Sequence, residues 1–141
     1  MQMNPKSYML DGEEKKSIRN LLKDKLNKRQ EVLFAYIYGS FNDDLPFHDI
    51  DVGVYVAGLT ESSVTEYVLE LSSVLQAGSK VPVDVQAINF APIPFRYHVL
   101  RGELLFERDE ATRSLVLEQV VQRYLDIEPL RRRGVKEAFA A

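Results

Sequence analysis

The chain has 141 residues, of which 45% are hydrophobic and 28% are charged. Its 18 lysines and arginines and its 21 aspartates and glutamates give a net charge of −3. This length and composition predict one globular domain and exclude a disordered or collagen-like chain. The sequence contains no cysteine, which excludes disulfides, thiolate zinc sites and cysteine nucleophiles and fits a reducing compartment.

No segment indicates export or membrane insertion. Residues 1–16 are polar and lack the apolar core of a signal peptide. The longest strongly apolar run, Val32–Tyr38, is far shorter than the ~20 residues that a helix needs to span a bilayer. The slightly acidic balance argues against direct, sequence-specific binding of nucleic acid. We therefore expect a cytoplasmic protein without membrane association.

Helical and strand-like patterns alternate along the first half of the chain. Asp11 and Glu14 have the spacing of a capping box. An apolar stripe at helical spacing follows, formed by Ile18, Leu21, Leu22 and Leu26. Val32–Tyr38 is typical of a strand buried on both faces, and it ends at Gly39-Ser40. A polar connection of eight residues then leads to a second predicted strand, Asp49–Val56.

The second half continues the alternation. The pattern predicts a helix that opens at Thr60 and stops at Gly78, followed by a strand over Val81–Ile88. The Ala91–Pro94 segment is expected to break regular structure, and Glu103–Glu107 is a possible short strand. The last helix is marked by Leu117, Val120, Val121 and Tyr124. This order predicts an α/β fold with a small mixed β-sheet and flanking helices.

The whole chain, 1–141, is predicted to form a single domain with a core of about 11–128. A basic C-terminal tail follows at 129–141 and contains Arg131, Arg132, Arg133 and Lys136. This run is either a solvated helix end or a contact for an acidic partner surface or for RNA held by a partner.

Two aspartates on the second predicted strand are the first candidates for chemistry. Asp49 and Asp51 are two residues apart, so their side chains project from one face, while the opposite parity is apolar. Two carboxylates at this spacing repel each other unless a cation or proton intervenes, and they suit Mg²⁺. Gly53, the next residue on that face, is expected to leave space beside the pair.

A third aspartate and a glycine–serine turn complete the candidate site. Asp84 interrupts a valine-rich strand, where an unpaired charge would be costly. If the intervening helix is a right-handed crossover, the second and third strands are parallel and bring Asp49, Asp51 and Asp84 to one sheet edge. Gly39 and Ser40 would let a phosphate approach the backbone. Together these residues favour a site at which a hydroxyl attacks a bound nucleoside triphosphate. Asp84 would serve there as a metal ligand or as the base.

Gly39-Ser40, Asp49-Ile50-Asp51 and Asp84 together resemble the Gly-Ser, Asp-x-Asp and Asp signature of the DNA polymerase β-like nucleotidyltransferases. The small size resembles the minimal nucleotidyltransferases (MNT), many of which are the antitoxins of HEPN–MNT toxin–antitoxin pairs. The resemblance extends from Val32 to about Leu130. It implies a polymerase β palm-like fold.

The resemblance also implies an activity. Asp49, Asp51 and Asp84 would bind Mg²⁺, with two ions expected, and Gly39 and Ser40 would bind ATP. The implied reaction transfers AMP from ATP to a tyrosine hydroxyl of a HEPN ribonuclease toxin, which becomes inactive.

Two other functions stay open. The connection Phe41–His48 is shorter than is usual in the family and contains neither arginine nor glycine. This departure is compatible with an antitoxin that neutralises its partner by binding alone. Transfer of a nucleotide to a small molecule ranks lower, because 141 residues leave little chain for a dedicated acceptor domain.

Overall fold

The computed structural model describes the backbone of residues 7–138 and the side chains of residues 7–129. The helices are α1 (Gly12–Asn27), α2 (Val64–Gln76), α3 (Ile93–Leu100) and α4 (Glu110–Ala138). The strands are β1 (Val32–Tyr38), β2 (Ile50–Val56), β3 (Val83–Ala87) and β4 (Glu103–Glu107). A 3₁₀ turn at Ser40–Asn42 follows β1.

The strands form one mixed sheet in the order β3-β2-β1-β4. β1 pairs antiparallel with both β2 and β4, whereas β2 and β3 are parallel. The short connection after β1 and the helical crossover between β2 and β3 predict these two directions, and both are confirmed. The expected α/β fold with a small mixed sheet is therefore correct.

Helices cover both faces of the sheet. On one face, α1 and α2 pack on the inward side chains of the strands, for example Leu22 and Leu71 on Val52. On the other face, α3 and α4 pack through Val99 and Val120 on the aromatic side of β1. Asp51 has the opposite parity to Val52, so the candidate carboxylates belong to the α3 side of the sheet.

The N-terminal helix begins as its sequence predicts. The Asp11 carboxylate accepts a hydrogen bond of 2.8 Å from the Glu14 backbone N–H, and the Glu14 carboxylate accepts one of 3.1 Å from the Asp11 N–H. This reciprocal capping box satisfies two backbone donors at the helix start. The predicted apolar stripe is also confirmed, since Ile18, Leu22 and Leu26 are buried.

Helix α3 is the element that the sequence prediction missed. The Ala91–Pro94 segment was expected to be irregular, but the helix begins at Ile93, with Pro92 at its N-cap and Pro94 in its first turn. Proline is tolerated there because the first backbone N–H groups of a helix have no partner within it. The prolines therefore start a helix instead of interrupting one.

The outer edge of β3 is closed by side chains of α2. The backbone N–H of Val83 donates to the Gln76 amide oxygen at 3.1 Å, and the N–H of Val85 donates to the Ser72 hydroxyl at 3.0 Å. An edge strand usually presents such donors to solvent. Here two of them are occupied.

At the C-terminus, the segment expected to be a basic tail continues α4 as far as Ala138, past Pro129. The side chains of Arg131–Arg133, for which a partner contact was considered, lie outside the described part of the chain. No helix within the described residues is long and apolar enough to cross a membrane.

Candidate active site

Three polar side chains form a row across three neighbouring strands. In the antiparallel register Tyr38 of β1 is the partner of Asp51, and in the parallel register Asp51 is the partner of Asp84 of β3. Neighbouring strands are about 4.8 Å apart, so the row is compact. Asp49 lies immediately before β2 and has the same parity as Asp51. The predicted convergence of the aspartates on one end of the sheet is thus present.

The charges of the aspartates act on one another. Burial, as the larger cause, and the neighbouring carboxylates of Asp49 and Asp84 together raise the pKa of the half-buried Asp51 carboxyl to about 6. The same three aspartates, together with burial as the larger cause, raise the pKa of Tyr38. Tyr38 therefore keeps its hydroxyl proton across the physiological range.

Within residues 7–129, no lysine or arginine forms an ion pair with these aspartates. The ion pairs among the described residues join Arg19 to Glu103, Arg29 to Glu31 and Glu70, and Arg113 to Glu107. The described residues contain no group of three His, Cys, Asp or Glu side chains already arranged around a metal position. The unbalanced carboxylates are nevertheless the hard oxygen donors that suit Mg²⁺, which needs only one or two of them besides substrate phosphates. Two of the carboxylates of Asp49, Asp51 and Asp84 would be enough to hold such an ion.

Gly39 brings the turn after β1 into contact with the carboxylate row. Its φ is +84°, a conformation that side chains disfavour. A Cβ atom at this position would lie 2.7 Å from Asp51 Oδ2. Ser40 then opens the 3₁₀ turn, and its carbonyl accepts a hydrogen bond of 3.0 Å from the Asp43 N–H. The two predicted nucleotide-binding residues are therefore adjacent to the predicted metal ligands.

The connection between Ser40 and Asp49 is anchored to the first helix. Phe41 and Phe47 are fully buried, with their rings edge-to-face at 5.1 Å. The Lys15 ammonium of α1 donates to the backbone carbonyls of Phe41 and Asp43, both at 2.7 Å. The sequence predicts a polar connection here, and the anchor was not predicted. The two phenylalanines, six residues apart in a polar stretch, were the feature that could have indicated it.

An aromatic cluster from α3 packs beside the row. The Tyr38 ring lies edge-to-face on Phe95 at 5.8 Å and on His98 at 5.5 Å. Tyr38 lines two clefts. The larger, of about 670 Å³, extends past Asp84. The smaller, of about 330 Å³, contains Gly39, Asp43, His98 and Arg101. Because α3 was not predicted, its contribution to the site was missed.

The space expected beside Asp51 at Gly53 is filled by α3. A Cβ atom on Gly53 would lie 2.3 Å from Val99 Cγ1. The glycine therefore allows α3 to approach the sheet closely, two residues along β2 from Asp51, and it provides no open volume. This arrangement corrects the expectation from the sequence.

Comparison with known proteins identifies the family. The family model described as polymerase beta, nucleotidyltransferase matches residues 20–111, which is more than half of the chain and includes the whole candidate site. The chain belongs to the polymerase beta nucleotidyltransferase family. No curated protein sequence matches it.

Solved structures of toxin–antitoxin complexes share the nucleotidyltransferase fold. A chain of the tri-AMPylated HEPN toxin of Shewanella oneidensis in complex with MNT antitoxin is 20% identical, with a TM-score of 0.60, over 90% of this chain and 97% of that one. A chain of a toxin–antitoxin with AMP-PNP is 18% identical, with a TM-score of 0.63, over 86% and 98%. A MntA–HpeT mutant with two aspartate-to-glutamate changes is 20% identical, with a TM-score of 0.63, over 89% and 98%.

Proposed function

We propose that this chain is a Mg²⁺-dependent nucleotidyltransferase that moves AMP from ATP to a tyrosine hydroxyl of a HEPN-domain toxin and so acts as its antitoxin. One observation carries the proposal: the aspartate row stands against the Gly39-Ser40 turn, and no lysine or arginine of the described residues forms an ion pair with it. The shared fold supports the choice of acceptor, since one similar structure contains an AMPylated HEPN toxin and another contains AMP-PNP. Because ATP is the donor, we place the reaction in the cytoplasm.

Each residue of the site has a role in this reaction. Gly39 and Ser40 hold the triphosphate, Asp49 and Asp51 hold the metal, and Asp84 is either a further metal ligand or the base. When bound, Mg²⁺ neutralises negative charge on the transferring phosphate. The acceptor oxygen forms a bond to the α-phosphorus, the bond from that phosphorus to the pyrophosphate oxygen breaks, and pyrophosphate leaves. In the role of base, the exposed carboxylate of Asp84 takes the phenolic proton and passes it to water.

The experiment that tests this function is label transfer from α-labelled ATP. The protein is purified with its natural partner and incubated with Mg²⁺, and the label on the partner is measured. We expect labelled partner with the wild type and none with the Asp49→Asn/Asp51→Asn double variant, which still binds the partner. A folded partner that stays unlabelled with the wild-type protein contradicts the proposal.

A purely binding antitoxin is the second candidate. The acidic side chain of Asp43 lines the smaller cleft beside Gly39, where the reaction needs to accommodate a triphosphate. A like charge there disfavours nucleotide binding. If the protein acts by binding alone, the Asp49→Asn/Asp51→Asn double variant protects cells from the toxin as well as the wild type does. Loss of protection with complex formation preserved rules this candidate out.

A further inference from the structure

The larger cleft lies beyond Asp84, between α2, the end of β3 and the start of α3. We call it the acceptor groove and define it by Val64, Val68, Leu69, Phe90 and Phe95, together with Asp84 and Tyr38, which also line it. Its volume of about 670 Å³ is within the range of small-molecule sites.

The groove and the glycine–serine turn lie on opposite sides of Asp51. The sheet order places β2 between β1, which ends at the turn, and β3, which carries Asp84. In phosphoryl and nucleotidyl transfer, the attacking and leaving oxygens are roughly in line through the phosphorus. If pyrophosphate leaves toward Gly39-Ser40, the attacking hydroxyl arrives from the Asp84 side. The acceptor groove is the cleft on that side.

The lining of the groove selects the kind of hydroxyl compound that fits. Its walls are mostly apolar or aromatic, and two large apolar side chains are exposed at it, Leu69 at 64% and Phe90 at 43%. Exposed apolar surface of this kind marks a binding site, and aromatic walls favour edge-to-face contact with another ring. A sugar-like compound would lose hydration in the groove and find few polar partners there, since the polar residues of its lining are Tyr38, Thr65, Asp84 and Gln86.

We propose that the acceptor groove binds the phenol ring of the acceptor tyrosine and presents its hydroxyl to Asp84. The proposal rests on the proposed function and adds to it the place where the acceptor enters and the chemical class that the place selects. Leu69 and Phe90 hold the ring, while Tyr38 and Phe95, whose own rings are in edge-to-face contact, form another part of the wall.

Binding of a tyrosine analogue tests this assignment without any turnover. The isotope-labelled full chain, saturated with Mg²⁺ and the α,β-methylene analogue of ATP, is titrated with N-acetyl-tyrosinamide and followed by amide NMR. We expect the amide signals of Leu69 and Phe90 to shift with tyrosinamide. N-acetyl-serinamide or an aminoglycoside should leave them in place.

A matched pair of leucine variants localises the binding. Leu69→Lys places a charge in the groove and should weaken tyrosinamide binding about tenfold or more. Leu115→Lys makes the same change at a leucine of α4 that is 56% exposed and does not line the groove, and it should bind as the wild type does. Equal binding by both variants overturns the proposal.

The remaining outcomes separate this proposal from the proposed function. One outcome is that the nucleotide analogue alone shifts the Leu69 and Phe90 signals, with no further change when tyrosinamide is added. In that case the groove holds the adenine of the nucleotide and our assignment is wrong. If tyrosinamide binds in the groove but no partner is ever labelled, the groove assignment stands and the proposed function fails. If the partner is labelled equally well by Leu69→Lys and by Leu115→Lys, the function stands and the groove assignment fails.

Discussion

Asp51 is the residue at which the demands of folding and of the proposed catalysis conflict most clearly. Its pKa of about 6 lies above the ordinary value of 3.8, so in metal-free protein the ionised carboxylate costs stability. The cost is absent below about pH 4, grows as the pH rises between the two pKa values, and is complete above about pH 6. A bound cation would offset it.

We therefore expect Asp51→Asn to stabilise the metal-free protein at pH 8 by about 1 kcal/mol. This is less than the full pKa difference would give, because solvent screens a half-buried charge. The gain should vanish near pH 4. Urea unfolding in EDTA at both pH values measures it, and added Mg²⁺ should stabilise only the wild type. The exposed Asp44→Asn provides the control, with little change expected. A less stable Asp51→Asn protein at pH 8 would show that repulsion is unimportant.

Gly39 gives a second prediction at the residue scale, with Gly58 as its control. Both glycines have positive φ, +84° and +74°, but only Gly39 faces a neighbouring atom, Asp51 Oδ2. We expect Gly58→Ala to cost about 1 kcal/mol through backbone strain and to leave label transfer intact. Gly39→Ala should cost about 2–3 kcal/mol and abolish transfer, because the new methyl group displaces the carboxylate. Equal behaviour of the two variants in urea unfolding and label transfer would refute the contact argument.

At the scale of elements, α3 explains why the site could be predicted only in part. The aspartates and Gly39-Ser40 were predictable because strand parity and a helical crossover determine where such residues meet. The contributions of Phe95 and His98 were not, because the proline-rich start of α3 is compatible with both a loop and a first helical turn. Likewise, burial of Phe41 and Phe47 depends on contacts with α1 that are distant in sequence.

The fit of α3 on the sheet gives the prediction for this scale. Gly53→Ala should destabilise the protein by about 2 kcal/mol, because its Cβ would collide with Val99. Val99→Ala alone should cost a similar amount by leaving a cavity. The double variant should be more stable than the sum of the two losses predicts, since the smaller side chain accommodates the methyl group. Thermal unfolding of the four proteins measures this coupling, and strict additivity would contradict the packing.

For the whole molecule, Lys15 links the N-terminal helix to the loop that follows the glycine–serine turn. Its ammonium group donates to two loop carbonyls, which belong to residues 26 and 28 positions further along the chain. We expect Lys15→Met to cost about 1–2 kcal/mol and to raise the KM for ATP, because the loop beside the triphosphate loses its anchor. Lys16→Met, an exposed neighbour, should change neither quantity. An unchanged KM in Lys15→Met would show that the loop keeps its position without the anchor.

The closed outer edge of β3 limits how a partner can attach to this molecule. Gln76 and Ser72 already occupy the backbone donors of Val83 and Val85, so an incoming extended segment would have to displace them before it could lengthen the sheet. This edge lies on the Asp84 side of the site. A protein that approaches from there must offer a protruding side chain instead of its own backbone, and a residue carried on the surface of a helix meets that requirement without unfolding.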